Sequence, residues 1–135
     1  MSDTTLPSGT PAIVRTVEGA SRGIVIIPDI WGLRQLYVDM VDDMATRTGD
    51  DRLLGDAVAA ADLLGVGDVG VVGFCMGGMY ALKASALSRF DRAVSFYGMI
   101  RVPADWESTG QGEPLDAVAR RGDTPVLAII GTVDG

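Results

Sequence analysis

The sequence predicts an α/β fold with a mostly parallel sheet, because apolar strand-like runs alternate with segments of helical periodicity. The strand-like runs are rich in β-branched residues and contain few polar ones, as in strands that are buried on both faces. Strands separated by helices favour a parallel sheet that is covered by helices. The predicted strands are 12–17 (an edge strand), 23–28, 69–74, 92–97 and 125–130, and the predicted helices are 34–47, 53–64, 76–87 and a short one near 115–121.

Each predicted element is supported by a local pattern. The run GIVIIP at 23–28 is continuously apolar and is ended by a proline. Apolar residues recur every four positions in 34–47, which places them on one face of a helix. The residues TGDD at 48–51 interrupt that helix and offer an N-cap to the helix at 53–64. These two helices follow each other without a strand between them, which breaks the alternation.

The composition indicates one globular domain. The 135 residues have the size of a single domain, and 47% of them are hydrophobic, which is typical of a packed chain. Eighteen acidic against eleven basic residues give a net charge of −7, which disfavours binding to nucleic acids or anionic membranes. The sequence has no signal-peptide pattern and no apolar run of membrane-spanning length. A single cysteine excludes an internal disulfide and fits the cytoplasm. We predict a cytoplasmic protein with a flexible arm at 1–11 and one domain at 12–135.

The most informative stretch is GFCMGG, which begins at Gly73 where a predicted strand runs into a predicted helix. The form G-x-C-x-G is the thiol version of the G-x-S-x-G nucleophile elbow. Side chains two residues before and after the nucleophile would collide at such a turn, so Gly73 and Gly77 fit it. The helix that begins at Met76 would direct free N–H groups toward Cys75, favouring a thiolate and an oxyanion. Gly78 would let this helix pack closely against the sheet.

The residues alone also allow other interpretations of this stretch. A free cysteine often packs as a small buried hydrophobe, and this alternative remains open for Cys75. A dinucleotide-binding loop is disfavoured, since Cys75 stands where G-x-G-x-x-G requires a glycine. The sequence has no Cys/His cluster of the kind that binds zinc. We therefore expect no metal and no cofactor.

The sequence resembles the dienelactone hydrolase family, the cysteine branch of the α/β-hydrolase fold. The similarity begins at about residue 12 and is carried by GFCMGG with the YALKA that follows, GIVIIPDIWGL at 23–33, SFYG at 95–98 and PVLAIIGTVDG at 125–135. The resemblance implies a three-layer, α/β-hydrolase-like sandwich. It also implies that one strand, between the helices at 34–47 and 53–64, is missing, together with the C-terminal strand and helix region. The central strands are expected to stay adjacent with a newly exposed edge.

The resemblance further implies roles for individual residues. Cys75 would attack an ester or lactone carbonyl and form an acyl-enzyme that water releases. Asp134, in a G-x-x-D turn, would be the triad acid, with an ordinary turn aspartate as the alternative. The backbone N–H groups of Ile30 and Met76 would form the oxyanion hole. Asp29 matches a family glutamate that interacts with the resting thiol, with a loop or capping carboxylate as the alternative.

The sequence contains no histidine, so the third triad residue of the family has no counterpart in it. One hypothesis is a dienelactone hydrolase-like ester or lactone hydrolase that acts through a cysteine acyl-enzyme. Another is a non-catalytic remnant of that fold that binds a small ligand or a partner. A third is a redox or acyl-accepting thiol protein that uses only Cys75. The expected partner is a small-molecule ester or lactone, without nucleic acid or membrane, and either a monomer or a homo-oligomer is compatible with the sequence.

Overall fold

The computed structural model describes residues 2–14, 21–27, 50–104 and 110–131. Within these residues, strands β3 to β6 form a parallel sheet in the order β3-β4-β5-β6, and β1 and β2 pair antiparallel in a separate sheet. The elements are β1 Ser2–Thr5, β2 Pro11–Val14, β3 Arg22–Ile27, α1 Asp50–Leu63, β4 Asp68–Phe74, α2 Met76–Ala84, β5 Arg92–Phe96, α3 Pro114–Ala119 and β6 Val126–Ile129.

The parallel sheet confirms the predicted α/β fold class, and β4 lies at its centre. Gly73, near the end of β4, is in register with Ile27 of β3 and with Ser95 of β5. The turn after β4 therefore lies between the carboxyl ends of two neighbouring strands, where open α/β sheets commonly place their ligand sites. The helix predicted at 34–47, and the junction where a strand was expected to be missing, fall outside the described residues.

The main core lies between one face of the sheet and helices α1 and α2. Along β4, buried residues alternate with half-buried ones, and the buried positions face the helices. The helices contribute small side chains to this core, which lets them approach the sheet closely. The buried members of the cluster are Val25, Ala57, Ala61, Val69, Val71, Ala81, Ala84, Phe90 and Ala93.

Helix α1 is stabilised at both ends by charge. It begins three residues before the predicted start, with Asp50 and Asp51 in its first turn, where acidic side chains complement the helix dipole. Near its other end, Arg89 donates hydrogen bonds to the carbonyls of Ala61, Val66 and Gly67 at 2.8 to 3.1 Å. Arg89 also pairs with the carboxylate of Asp62 at 2.7 Å. The cation complements the negative end of the helix dipole and ties α1 to the loop that follows it.

The first described residues form a hairpin, in which residues 2–5 pair with residues 11–14. The flexibility predicted for 1–11 and the boundary at residue 12 stay predictions. The buried side chain of Leu6 anchors the turn, and the Thr10 hydroxyl donates to the Asp56 carboxylate at 2.6 Å. This pairing was not predicted because the segment is mostly polar. One buried leucine and one long-range hydrogen bond hold the hairpin in place. The assignment of one domain to the rest of the chain stays a prediction.

Candidate active site

Cys75 lies at the turn between β4 and α2, at the carboxyl edge of the parallel sheet. Its φ of 54° and ψ of −119° fall in a region that residues with a Cβ rarely occupy. The Cys75 N–H donates to the Phe96 carbonyl at 3.0 Å, and the Cys75 carbonyl accepts from the Met79 N–H at 3.1 Å. The side chain is half-buried, so Cys75 is presented at the turn and is not a fully buried core residue.

Close backbone contacts require the glycines around this turn. A Cβ on Gly73 would overlap the carbonyl group of Gly77. A Cβ on Gly78 would lie 2.7 Å from Gly98 Cα and 2.8 Å from Ser95 Oγ, closer than real Cβ atoms approach. The close approach of Gly73 and Gly77 makes the sharp turn possible. The close approach of Gly78 and Gly98 brings α2 directly onto the end of β5.

The start of α2 supplies backbone donors beside Cys75. The first N–H groups of a helix have no acceptor within it, and here they belong to Met76, Gly77 and Gly78. They form the positive end of the helix dipole. The Cys75 side chain does not cap this helix. Donors in this position suit negative charge that develops on the sulfur or on a bound carbonyl oxygen.

Three of the predicted site residues lie outside the described residues: Asp29, Ile30 and Asp134. The thiol-partner role of Asp29, the oxyanion-hole role of Ile30 and the triad role of Asp134 therefore stay predictions. Cys75, Met76 and the glycines of the elbow are the predicted site residues that the structure brings together.

Tyr97 is a second strained residue at this edge, and its place in the site was not predicted from the sequence. Its φ is 39°, and its N–H donates to the Ile129 carbonyl at 2.7 Å. Its exposed ring lies 6.2 Å from the ring of Phe74, which in turn stacks on Phe96 at 5.0 Å. Strained residues cluster at functional sites. The sequence signal for Tyr97 was its position in SFYG, directly before the closely packed Gly98.

An open groove of about 630 Å³ lies beside Tyr97, a size typical of small-molecule sites. Two segments line it, 97–100 after β5 and 129–131 at the end of β6. Both segments follow strands at the same carboxyl edge that presents Cys75.

A buried polar cluster involves helix α2, which follows Cys75. It consists of Asp50, Tyr80, Lys83 and Gln111. Lys83 is 2% exposed, pairs with Asp50 at 2.7 Å and donates to Gln111 at 3.0 Å. Burial raises the pKa of Tyr80 above its ordinary value of 10.0, and the negative charge of Asp50 raises it further. Asp50 also accepts the Gly112 N–H at 2.7 Å, so the cluster joins α1, α2 and the loop before α3. This cluster was not predicted from the sequence, where its only sign is a lysine in an otherwise apolar helix.

Two kinds of feature are absent from the described residues. They contain no group of three or more His, Cys, Asp or Glu side chains that would hold a metal ion. They also contain no helix with the length and apolar character needed to cross a membrane.

Comparison with known proteins connects this fold to a family. The dienelactone hydrolase family model matches residues 38–135, which is more than half of the chain. A curated protein of Bradyrhizobium sp, named as a 2-oxo-3-(5-oxofuran-2-ylidene)propanoate lactonase, is 34% identical over 98 residues. That match covers 67% of this chain but 39% of the relative, so the chain spans well under half of the relative's length.

A solved structure shares the fold. The crystal structure named for a dienelactone hydrolase from Klebsiella pneumoniae subsp. pneumoniae MGH 78578 matches with a TM-score of 0.63 at 14% identity. The match covers 97% of this chain and 85% of that chain. At this identity the likeness shows the fold alone, which is the α/β-hydrolase-like architecture expected from the sequence. The family match over residues 38–135 places this chain in the dienelactone hydrolase family.

Proposed function

We propose that this chain is a carboxylic ester or lactone hydrolase that uses Cys75 as its nucleophile. The observation that carries the proposal is the strained turn at Cys75, which presents a half-buried thiol beside the free N–H groups of α2. Membership of the dienelactone hydrolase family supports hydrolysis as the reaction type. The name of the Bradyrhizobium relative supports a lactone as one substrate class.

The proposed reaction proceeds through a thioester. The Cys75 thiolate attacks the carbonyl carbon, and the carbonyl electron pair moves to oxygen, where the Met76 N–H stabilises it. The Ile30 N–H is the proposed second donor. Collapse of this intermediate breaks the bond to the leaving oxygen, which takes a proton, and leaves the acyl group on sulfur. Water then attacks the thioester, which releases the carboxylic acid and restores the thiol.

Proton transfer decides which leaving groups suit these residues. The 135 residues contain no histidine, while a positioned acid or base typically contributes about 10²- to 10⁴-fold in rate. Phenols and enols leave as anions without such help, so aryl esters and enol lactones suit the site better than alkyl esters. In this proposal Asp134 occupies the position of the family's triad acid, and Asp29 acts as a partner of the resting thiol. The lone cysteine also supports a cytoplasmic location as part of the proposal.

The test is acylation of Cys75 by an aryl ester, followed by intact mass spectrometry and by release of the phenol. We expect p-nitrophenyl acetate to add one acetyl group to the protein and release p-nitrophenol, and Cys75→Ala to abolish both. Turnover beyond one equivalent would support hydrolysis, whereas a stable acetyl-protein would identify an acyl acceptor instead. Equal acetylation of wild type and Cys75→Ala would reject Cys75 as the nucleophile. The open groove beside Tyr97 supports a small-ligand binder as the second candidate, for which no Cys75-dependent acylation is expected.

A further inference from the structure

We infer that the buried ion pair between Lys83 and Asp50 positions helix α2, and with it the N–H groups that lie beside Cys75. Lys83 is a positioning residue for the reaction, since it lies on α2 about two turns beyond the nucleophile. This inference rests on the proposed role of Cys75 as the nucleophile, and it adds residues that set the reactivity of that same thiol.

The ion pair is part of a set of directional bonds. The two carboxylate oxygens of Asp50 have different partners, because Oδ1 accepts from Lys83 Nζ and Oδ2 accepts from the Gly112 N–H, both at 2.7 Å. The Asp50 N–H also donates to the Gly110 carbonyl at 2.7 Å. The Lys83 ammonium donates a further bond to Gln111 Oε1 at 3.0 Å. These bonds tie α2 to the first residue of α1 and to the loop before α3.

Stability alone does not account for a charge pair at this position. The side chain of Lys83 is 2% exposed and that of Asp50 is 15% exposed. Removing two charges from water costs about as much as their attraction returns, so apolar side chains of similar size often serve stability equally well. Directional bonds between buried polar groups instead favour one arrangement of the packed elements over others that are close to it.

The rest of the same helix face is adaptable. It carries residues that are spaced three or four apart, namely Met76, Met79, Tyr80 and Lys83. The first three of these pack with Val102 into a second buried cluster. Methionine side chains are unbranched and fill irregular gaps, so this packing tolerates a small rotation of α2. The bonds of Lys83 oppose such a rotation, because hydrogen bonds weaken steeply when they are misaligned.

The orientation of α2 matters most at its first turn. Met76 follows Cys75 directly, and its N–H is the proposed donor to the oxyanion. The contact of Gly78 with Gly98 sets how near α2 lies to β5, but glycines have no side chains that would resist a rotation. A helix terminus stabilises negative charge only within about one turn, so a rotation would move the N–H groups away from the sulfur. Lys83 therefore affects the reactivity of Cys75 through the orientation of α2.

Alkylation of Cys75 tests this inference without requiring turnover. Cys75 is the single cysteine, so its labelling by iodoacetamide can be followed by intact mass as a function of pH. The double variant Asp50→Asn/Lys83→Met removes both charges, and the new amide oxygen can still accept the Gly112 N–H. We expect the double variant to react about tenfold more slowly at neutral pH, with its pH–rate profile moved to higher pH. Because it buries no unpaired charge, we expect its midpoint of urea denaturation to stay close to that of the wild type.

Two further variants make the result specific. Gln111→Met removes one acceptor of Lys83 and leaves the ion pair in place, so we expect alkylation to slow by about threefold. Arg89→Met is the matched control, because it removes a cation of equal charge that pairs with Asp62 near the end of α1. We expect Arg89→Met to lower the midpoint of urea denaturation, since its hydrogen bonds are lost, and to leave the rate at Cys75 within about twofold of the wild type.

The outcomes separate this inference from the proposed function. A wild-type pH–rate profile in the folded double variant, or in Gln111→Met if the double variant does not fold, would overturn the inference even if esters are hydrolysed. Equal slowing by Arg89→Met would also overturn it, because the effect would then follow from any loss of stability or charge. A shifted profile without acylation of Cys75 by aryl esters would support the positioning role and reject the hydrolase.

Discussion

Cys75 combines a reactive side chain with a backbone conformation that reduces stability. Residues with a Cβ that are held in sparsely populated regions cost about 1–3 kcal/mol each. Cys75, at φ 54° and ψ −119°, is such a residue. It is held there by hydrogen bonds to Phe96 and Met79, on opposite sides of the turn. The strain therefore lies at Cys75, the residue that presents the thiol. This fits a functional site whose geometry lowers the stability of the fold.

Cys75→Gly tests whether this strain is real. Glycine occupies the conformation freely, whereas Cys75→Ala removes the thiol and keeps the Cβ. We expect Cys75→Gly to have a free energy of unfolding about 1 kcal/mol higher than Cys75→Ala, as measured by urea denaturation. Equal stability of the two variants, or a more stable alanine variant, would mean that the turn relaxes to a conformation without strain.

Tyr80 gives the buried polar cluster a pH dependence. Its pKa is raised in the folded state by burial and by the charge of Asp50. The unfolded chain loses this proton near the ordinary tyrosine pKa of about 10, while the folded chain keeps it. Above about pH 10, ionisation of Tyr80 therefore stabilises the unfolded state. The stabilisation of the folded state that is present below about pH 10 is lost as the pH rises toward the folded-state pKa.

Tyr80→Phe removes this titration and leaves the ring. Between pH 9 and pH 11, we expect the free energy of unfolding to fall by about 1 kcal/mol more in the wild type than in Tyr80→Phe. The other two tyrosines are present in both proteins, so their contribution cancels in the difference. Parallel loss of stability in the two proteins would show that Tyr80 ionises as easily in the folded chain as in the unfolded one.

The residues of the site differ in how far the sequence predicts them. The turn at Cys75 was predictable because its conformation is set by neighbours in the chain, and the glycine pattern records it. Tyr97 and Lys83 were not predictable in the same way, because their roles depend on residues from other elements. Tyr97 is fixed by β6, and Lys83 finds Asp50 across 33 positions of sequence. A single sequence contains no record of such pairs.

Helix α2 depends on close contact with β5 at its first turn. Gly78 packs against Gly98 and Ser95, and this contact sets the distance between the helix and the sheet. Gly55, in the interior of α1, has open space where a Cβ would stand. These two helical glycines therefore have opposite structural roles.

Alanine substitution separates the two glycines. Alanine is favoured over glycine within a helix by about 1 kcal/mol, so we expect Gly55→Ala to stabilise the protein by up to that amount. We expect Gly78→Ala to destabilise it by about 1–3 kcal/mol, because the added methyl group forces α2 from the sheet. Thermal or chemical denaturation measures both, and Cys75 labelling reports any shift of the elbow. A stabilising Gly78→Ala would show that helix and sheet are not in close contact there.

The elements were predicted to different degrees for physical reasons. The central strands were recognised within one or two residues, because a strand buried on both faces leaves a continuous apolar run. Helix α1 was recognised from its apolar face but begins earlier, since its first turn is acidic and partly exposed. The hairpin of β1 and β2 was missed, because its pairing is made by backbone hydrogen bonds in a polar segment.

On the scale of the whole molecule, the described residues cover the two faces of the sheet to different extents. The face toward α1 and α2 is closely packed against their alanines. On the other face, Val72 and Val94 are half-buried, and Leu127, which is in register with them on β6, is 56% exposed. Ile129, two residues after Leu127, extends this apolar surface to the end of the strand. In the described part of the sheet, β6 is also an edge strand, which leaves backbone groups available for pairing.

An exposed apolar edge predicts self-association that is opposed by charge. The net charge of −7 keeps copies of the chain apart at low salt, and added salt screens this repulsion. We expect the mass measured by light scattering to rise above the 14.1 kDa of one chain as protein and salt concentrations increase. Leu127→Lys places a charge on the apolar surface and should weaken association by about tenfold.

Leu63→Lys is the matched control for this prediction, because Leu63 lies on α1, is 47% exposed and gives the same change in net charge. If the apolar edge drives association, Leu63→Lys leaves it close to the wild-type level, since the charge is added away from β6. If both lysine variants weaken association equally, general charge and not the edge controls it. A chain that stays monomeric at every concentration would show that β6 is protected by its own twist and short length, as edge strands often are.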